Sequence, residues 1–260
     1  MGWNIFPIWA AGVVLLAATG STVALLKKGR NIWAVVLMLL AILGMAGFIA
    51  ILWTTLERPP LRTMGETRLW YSFFLFVAGL FTYYRWQYRW IMLFSTVLAS
   101  VFVIINIVKP EIHDHTLMPA LQSVWFVPHV SVYMFSYSLL GCATLLSTVA
   151  LVRRSYNMDI AIEKLLYAGL AFLTMGMLTG SLWAKEAWGA YWSWDAKESW
   201  AVATWGLYLI AIHLAPSVMN SSRRWIYHTT ILLGFLALQM CWYGIKYLPS
   251  AETSIHTYNQ

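Results

Sequence analysis

The stretch WGAYWSWDAKESW at residues 188–200 places four tryptophans within thirteen positions, beside an aspartate, a lysine and a glutamate. Its indoles belong to Trp188, Trp192, Trp194 and Trp200. Each indole offers a broad apolar face and one polar N–H, and a group of such faces suits a large, flat, apolar partner. The pattern therefore predicts a surface for binding a planar molecule.

The charged residues of the same stretch also have a structural interpretation. Asp195-Ala196-Lys197-Glu198 has the D-x-x-E form of a capping box, in which the first side chain accepts a backbone N–H at the start of a helix. We therefore expect a helix to begin directly after Asp195. Such a cap leaves room for a functional loop in front of it.

Histidine is the second residue type with chemical potential, because neutral imidazole is a metal ligand. The chain has six histidines: His113, His115, His129, His213, His228 and His256. The HDH triplet at 113–115 is only a weak metal-like pattern. His228 lies near the end of a hydrophobic run, where a side chain that reaches towards water is the simpler interpretation.

The elements that must position these residues are transmembrane helices. A chain with 60% hydrophobic and 10% charged residues and a mean hydropathy of +0.66 is not an ordinary soluble domain. Crossing the bilayer takes about 20 mainly apolar residues, without the alternation of a barrel strand. Eight runs are candidates: 7–26, 31–53, 69–84, 89–108, 124–151, 160–182, 198–215 and 225–247. The predicted fold is all-α, a polytopic transmembrane helix bundle with about eight spans.

Basic residues in the loops predict the orientation, because lysine and arginine are retained on the cytoplasmic side. The loops of one side carry ten basic and two acidic residues, a net charge of +8. Those of the other side carry seven basic and eight acidic residues, a net charge of −1. Both termini and the tryptophan stretch are therefore expected to be external. The surroundings are membrane lipid, and no basic stripe interleaved with aromatics suggests nucleic acid.

This orientation places two histidines on the same side as the tryptophans. His129 follows Pro128 near the outer end of the fifth run, and His256 lies in the external tail. Two imidazoles beside an aromatic surface suit a haem, whose iron takes axial histidine. His213 lies thirteen residues beyond Trp200, about 20 Å along a helix and so in the inner half of the bilayer. An ionisable residue at that depth indicates function.

Several other residues have packing or surface interpretations. An interfacial belt explains three further tryptophans: Trp183, Trp205 and Trp225. Cys142 and Cys241 lie in separate runs without a CxxC pattern, which favours packing over a thiol or zinc site. Three lysines are candidate partners of haem propionates: Lys185, Lys197 and Lys246.

The stretch at 188–200 resembles the tryptophan-rich WWD signature of the haem-handling proteins, specifically the CcsA (ResC) branch of the System II cytochrome c synthetase. That branch reads WG-x-YW-x-WDPKE-x-W, whereas CcmC and CcmF differ after the tryptophans. Ala196 replaces the proline, which leaves the helix cap intact. The resemblance extends to VPHVSVYMFSY around His129, to His213 and to LPSAETSIHTY around His256.

This resemblance covers residues 120–260, while the first four spans match only as hydrophobic helices. We accordingly expect two domains: four N-terminal spans at 1–118, and a haem-handling core at 119–260 with four spans and an external tail. The resemblance implies haem b as the cofactor, with His129 and His256 as its axial ligands and His213 as a transmembrane ligand on a path for haem across the membrane. The implied porphyrin-holding residues are Trp188, Trp192, Trp194, Asp195 and Trp200.

The implied chemistry is cytochrome c biogenesis, in which two thiols of an apocytochrome c CxxCH motif add to the haem vinyl groups. The implied partners are a CcsB (ResB) subunit, apocytochrome c and a thioredoxin-like thiol reductant. We expect one subunit of a cytochrome c synthase (haem lyase) that is inactive alone. Its expected location is the bacterial cytoplasmic membrane or the plastid thylakoid membrane, with the WWD loop periplasmic or lumenal.

Two alternatives stay open at this point. One is a haem transporter or chaperone without ligase activity, as in CcmC-like proteins. The other is a polytopic transporter or scaffold without haem, whose tryptophans form only an interfacial belt.

Overall fold

The computed structural model describes residues 2–113, 119–154, 157–218 and 222–248, and within these ranges it has helices and no β-strand. Eight α-helices follow one another in these ranges: α1 (Phe6–Leu26), α2 (Ile32–Leu56), α3 (Met64–Trp86), α4 (Arg89–Val108), α5 (Phe126–Arg153), α6 (Asp159–Trp188), α7 (Ala196–Val218) and α8 (Arg224–Trp242). The all-α prediction is confirmed. The largest differences from the predicted runs are at helix ends, where polar residues continue a helix beyond its apolar part.

Among the described residues, six helices are long and apolar enough to cross a membrane: α1, α2, α4, α5, α6 and α8. The remaining two, α3 and α7, contain 23 residues each, about 35 Å at the usual rise per residue. Their tyrosines, tryptophans and charged residues lower the hydropathy, but their length suffices for a span. Eight spans with both termini external stay a prediction.

Helices α1–α4 belong to the first of two compact units, Met1–Leu117. Helix α1 packs against α2 and α4, and α3 packs against α4 and α2, so the four helices close a ring. Small polar side chains lie at these contacts. Ser21 of α1 donates a hydrogen bond to the Met92 carbonyl (3.1 Å) and lies 2.9 Å from the Thr96 hydroxyl.

The loop between α2 and α3 is organised around one buried carboxylate. Thr63 and Glu66 form a capping box at the start of α3, and Glu66 is fully buried. Arg58 donates two hydrogen bonds to the Glu66 carboxylate, at 2.9 and 3.0 Å. Burial, and then the charge of Arg58, lower the pKa of the Arg62 guanidinium. The start of α3 therefore has the same kind of cap that the sequence predicts for the start of α7.

Helices α5–α8 belong to the second unit, Met118–Gln260. Helix α5 packs against α6 and α8, and α7 packs against α8 and α6. Three glycines of α6 face α5: Gly169, Gly176 and Gly180. Ser136 of α5 donates a hydrogen bond to the Gly169 carbonyl (2.7 Å), and a Cβ on Gly169 would lie 2.6 Å from the Leu140 side chain. Such small residues let helix backbones approach closely inside a membrane.

The connection between α6 and α7 is shorter than predicted. The sequence suggested an external loop over 183–197, whereas α6 continues to Trp188 and α7 begins at Ala196. The residues LWAKEAW at 182–188 include alanine, leucine, lysine and glutamate, all good helix formers, so the helix does not end where the apolar run ends. Trp183 and Trp188 consequently lie on a helix.

The environment of His228 also differs from its prediction. The imidazole is fully buried instead of reaching to water. Its Nε2 lies 3.4 Å from Oδ1 of Asp159, and Asp159 also lies 3.5 Å from Arg224. Asp159 is the first residue of α6, where a carboxylate is favoured by the helix dipole. The Asp159 carboxylate of α6 therefore lies where water was predicted beside the His228 ring.

Candidate functional site

Residues 189–195 connect α6 to α7, and we call this segment the indole loop. It begins at Gly189, whose φ of +82° is accessible to glycine and ends α6. Lys185 Nζ donates a hydrogen bond to the Gly189 carbonyl (2.8 Å) and lies 5.3 Å from the centre of the Tyr191 ring. Lys185, a candidate partner of haem propionates, thus interacts with the C-terminal end of α6.

The other end of the indole loop is the predicted capping box, and it is confirmed. Asp195 accepts the backbone N–H of Glu198 at 2.9 Å. Glu198 in turn accepts the backbone N–H of Asp195 at 3.3 Å. The pair satisfies two backbone donors that the first turn of α7 would leave without partners.

Trp194 has an unusual backbone conformation within this loop. Its φ is +58°, in the left-handed region, which costs a bulky L-residue about 1–2 kcal/mol. Its side chain is 68% exposed. A strained conformation that presents a large apolar ring to the outside is typical of a functional position.

Trp192 lies beside Trp194, with ring centroids 5.8 Å apart and planes at 82°. The Trp192 side chain is half-buried. Its Nε1 is buried and has no hydrogen-bond partner among the residues that the structure describes. A buried donor left without an acceptor costs about 1–3 kcal/mol. An acceptor brought by a ligand, such as a carboxylate, would remove that cost.

His129 lies near the start of α5, in the same unit as the indole loop. Its Nδ1 is 2.8 Å from the Gly176 carbonyl of α6. A carbonyl oxygen only accepts, so Nδ1 carries the proton and the lone pair of the neutral ring is on Nε2. That tautomer is the one in which Nε2 can bind a metal while Nδ1–H orients the ring.

Two glycines of α6 make room for the His129 ring and for the Tyr133 ring beside it. A Cβ on Gly180 would lie 2.6 Å from both Cε1 and Nδ1 of His129, and one on Gly176 would collide with the ring of Tyr133. Tyr133 contacts His129 edge-on, with centroids 4.6 Å apart and planes at 62°. The imidazole is therefore held on three sides, by a backbone carbonyl, a glycine surface and a tyrosine ring.

Trp183 covers the His129 ring, although the sequence predicted that it belongs to an interfacial belt. The two rings stack with centroids 5.3 Å apart and planes at 25°. Trp183 is only 3% exposed, and its Nε1 donates to the Ala120 carbonyl at 2.7 Å, so it is not a belt residue. Trp188 contacts Trp183 edge-on at 4.7 Å. Aromatic contacts thus link His129 to the residue that precedes the indole loop.

Trp200 lies in the second turn of α7 and is half-buried. One turn further, Trp205 Nε1 donates to the Thr174 hydroxyl of α6 at 3.0 Å, which ties α7 to α6 below the indole loop. This contact holds together α6 and α7, the two helices that the indole loop connects.

His213 and His256, the other two predicted ligands, are not brought to this site by the described contacts. His213 is exposed on α7, and its Nδ1 is 2.8 Å from the Leu209 carbonyl, so its lone pair is also on Nε2. It lies thirteen residues beyond Trp200 on the same helix, about 20 Å away. His256 lies outside the described residues, as does Lys246 beyond its backbone.

The weak metal-like pattern at 113–115 gains no support. His113 stacks on Trp3 with centroids 3.7 Å apart and planes at 6°, as an aromatic packing residue does. Asp114 and His115 lie outside the described residues. Within the described part of the chain, no group of three or more His, Cys, Asp or Glu residues could hold a metal ion.

The sequence interpretation missed the residues that support the site. Gly176 and Gly180 form a small-x-x-x-small pattern, which is a signal for close helix packing in membranes. That pattern could have marked α6 as the partner of the helix that carries His129. For the burial of Trp183 the sequence has no comparable signal, because its partner Ala120 is 63 residues away.

The chain is similar in sequence to a known protein family. Residues 61–251 match the family described as "Cytochrome C assembly protein". The chain belongs to this family. The match includes α3 to α8, and with them His129, the indole loop and His213.

Curated relatives are named "Cytochrome c biogenesis protein CcsA". The protein from Trachelium caeruleum is 27% identical over an alignment of 266 positions, which covers 83% of this chain and 82% of the relative. The protein from Oenothera biennis is 26% identical over an alignment of 272 positions, which covers 84% of each chain. The protein from Chlamydomonas reinhardtii is 31% identical over 179 residues, which cover 63% of this chain and 48% of the relative.

The family and the helices together give a coarse functional statement. Six long apolar helices among the described residues and membership of this family identify a membrane protein. Its role is in cytochrome c maturation, a process in which haem is handled.

Proposed function

We propose that this chain binds haem b at the external face of the membrane and presents it for attachment to apocytochrome c. The observation that carries the proposal is the 2.8 Å contact between His129 Nδ1 and the Gly176 carbonyl. It sets the tautomer whose Nε2 can ligate iron, on a ring already fixed by Trp183 and Tyr133.

The indole loop supports the same proposal, since its residues fit the shape and polarity of a haem. The exposed ring of Trp194 offers a flat apolar surface, and the Trp192 N–H offers a donor for a propionate. Haem supplies the iron and the two vinyl groups to which the thiols of a CxxCH motif add. The chain contributes orientation, because it holds the reacting edge in one place.

The remaining ligand assignments rest on the resemblance to the CcsA branch. In this proposal His256 would hold the haem iron together with His129, and His213 would bind haem on its way from the inner side. The net charge of +8 in the loops of one side, against −1 in those of the other, supports the external position of the indole loop. The membrane is the bacterial cytoplasmic membrane or the plastid thylakoid membrane.

The reaction is proposed to require a second subunit. A CcsB-like membrane protein would complete the synthase, apocytochrome c is the client, and a thioredoxin-like protein keeps its thiols reduced. Three charged side chains at the indole loop, Lys185, Asp195 and Glu198, form hydrogen bonds to the backbone of the loop and of the first turn of α7. Positioning is therefore the main contribution that this chain makes to the chemistry.

The test is the absorption spectrum of the protein purified in detergent. We expect a Soret band with low-spin, bis-histidine features in the wild type. His129→Gly should lose haem or shift the spectrum, and added imidazole should restore the low-spin form because the missing group is only a ligand.

His113→Gly is the matched control, since His113 is also a stacked imidazole but lies in the first unit. Its spectrum should remain that of the wild type. A colourless wild-type protein would favour the scaffold alternative. Normal haem content without attachment, on co-expression with CcsB and an apocytochrome, would favour the chaperone alternative.

A further inference from the structure

Glu198 makes more hydrogen bonds than a capping box needs. Besides the N–H of Asp195, its carboxylate accepts the backbone N–H of Ser193 at 2.7 Å and the Ser193 hydroxyl at 3.2 Å. All of these contacts are made by the same oxygen, Oε2, and the residue is only 7% exposed. The shortest of them reaches back beyond the helix start into the indole loop.

The two backbone donors lie on either side of Trp194. Ser193 N–H and Asp195 N–H converge on one carboxylate oxygen, while Trp194 between them has a φ of +58°. Converging N–H groups around a left-handed residue form a concave anion site, known as a nest. Here the anion that fills the nest belongs to the chain itself.

The hydrogen bonds of Glu198 explain the left-handed conformation of Trp194. A left-handed conformation is unfavourable for a bulky residue such as tryptophan, and hydrogen bonds to a charged acceptor are stronger than those between neutral groups. The Glu198 carboxylate can therefore hold a backbone conformation that Trp194 would otherwise avoid. That conformation is the one in which the Trp194 ring is 68% exposed.

We infer that Glu198 is a positioning residue for haem, because it holds the indole loop in the conformation that presents Trp194. This inference rests on the proposed function, since it assumes that Trp194 contacts haem. Glu198 acts through the loop backbone and does not itself touch the ligand. A capping role alone would need only the contact with Asp195.

Amide hydrogen exchange tests the geometry independently of haem. In haem-free wild-type protein, the Ser193 and Asp195 amides should be protected, and Glu198→Ala should abolish that protection. Glu198→Gln keeps an acceptor oxygen and should retain part of it. Unchanged exchange in Glu198→Ala would show that the carboxylate does not hold the loop, and would overturn the inference.

Haem titration of the same variants tests the consequence. Glu198→Ala should bind haem about tenfold more weakly, the lower end of what loss of orienting groups costs, and Glu198→Gln should lie between it and the wild type. In Trp194→Ala, the further change Glu198→Ala should have little added effect, because the two changes remove the same contact.

Thr63→Ala is the matched control. It removes the capping side chain of α3 in the first unit, where Thr63 accepts the Glu66 N–H at 3.2 Å. It should lower the melting temperature without changing haem affinity. If Glu198→Ala loses amide protection yet binds haem like Thr63→Ala, Glu198 holds the loop without positioning haem, and the inference is wrong. A wild type that binds no haem would instead refute the proposed function, while the exchange result would still decide the role of Glu198 in the loop.

Discussion

Gly180→Ala is the sharpest test of how His129 is held. A Cβ at this position would lie 2.6 Å from the Cε1 and Nδ1 atoms of the His129 ring, whereas ordinary contacts begin at 3.4 Å. The ring would therefore have to move by 0.4 Å to reach 3.0 Å, the shortest contact that real Cβ atoms show, and by 0.8 Å to reach an ordinary contact. Because the Gly176 carbonyl lies on the same helix, a movement of the ring away from that helix also lengthens the 2.8 Å bond to Nδ1.

The size of the effect follows from that displacement. A displacement of 0.8 Å along the bond would lengthen it from 2.8 Å to about 3.6 Å, where it is no longer a hydrogen bond. Overpacking costs about 1–3 kcal/mol and the lost bond about 0.5–1.5 kcal/mol. Replacing a helical glycine by alanine returns about 1 kcal/mol. We expect a net destabilisation of about 1–3 kcal/mol and, since the orienting acceptor is lost, haem affinity reduced by about 10–100-fold.

The assay combines a haem titration with thermal unfolding of the purified variant, and Gly206→Ala is its control. Gly206 lies in α7 of the same unit, and nothing lies within 4 Å of a Cβ added there. That variant should be as stable as the wild type or more stable, with an unchanged spectrum. Gly180→Ala with wild-type haem content and spectrum would show that the position of the His129 ring does not determine haem binding.

Three further outcomes are expected. Replacing Trp192 and Trp194 together by alanine should weaken haem retention in a folded protein, because stacking is worth about 1–3 kcal/mol per aromatic ring; unchanged haem content would favour an interfacial belt. His213→Gly should lower the amount of haem in the purified protein without altering its absorption maximum, and a shifted Soret band would instead make His213 a ligand of the stable site. A cysteine at Ser250 should react with an impermeant maleimide from outside, and labelling from the cytoplasmic side alone would contradict the proposed orientation.

The helices were predictable because they depend on properties summed along the chain. Hydropathy over about 20 residues marks an apolar run regardless of its neighbours, and each of the eight predicted runs overlaps an α-helix in the described residues. Helix ends were less predictable. The polar turns of α6 beyond residue 182 add nothing to hydropathy, although they are helical.

In the candidate site, too, the local features were predictable and the long-range ones were not. The cap at Asp195 and Glu198 was predictable, because its partners are three residues apart and the geometry of a helix start is local. The resemblance around His129, His213 and the tryptophan stretch led to the correct family. The ligand set, including His256, stays a prediction.

The sequence by itself determined that this is an all-helical membrane protein of the cytochrome c assembly family, and where α7 begins. Only the tertiary structure decided that His129 is protonated on Nδ1, that Trp183 is buried against it, and that His228 faces Asp159 instead of water. The reason is the range of the interactions. A span or a cap depends on residues within a few turns of one another, whereas the acceptor for His129 lies 47 residues away on another helix, and only the packing of α5 against α6 brings the two together.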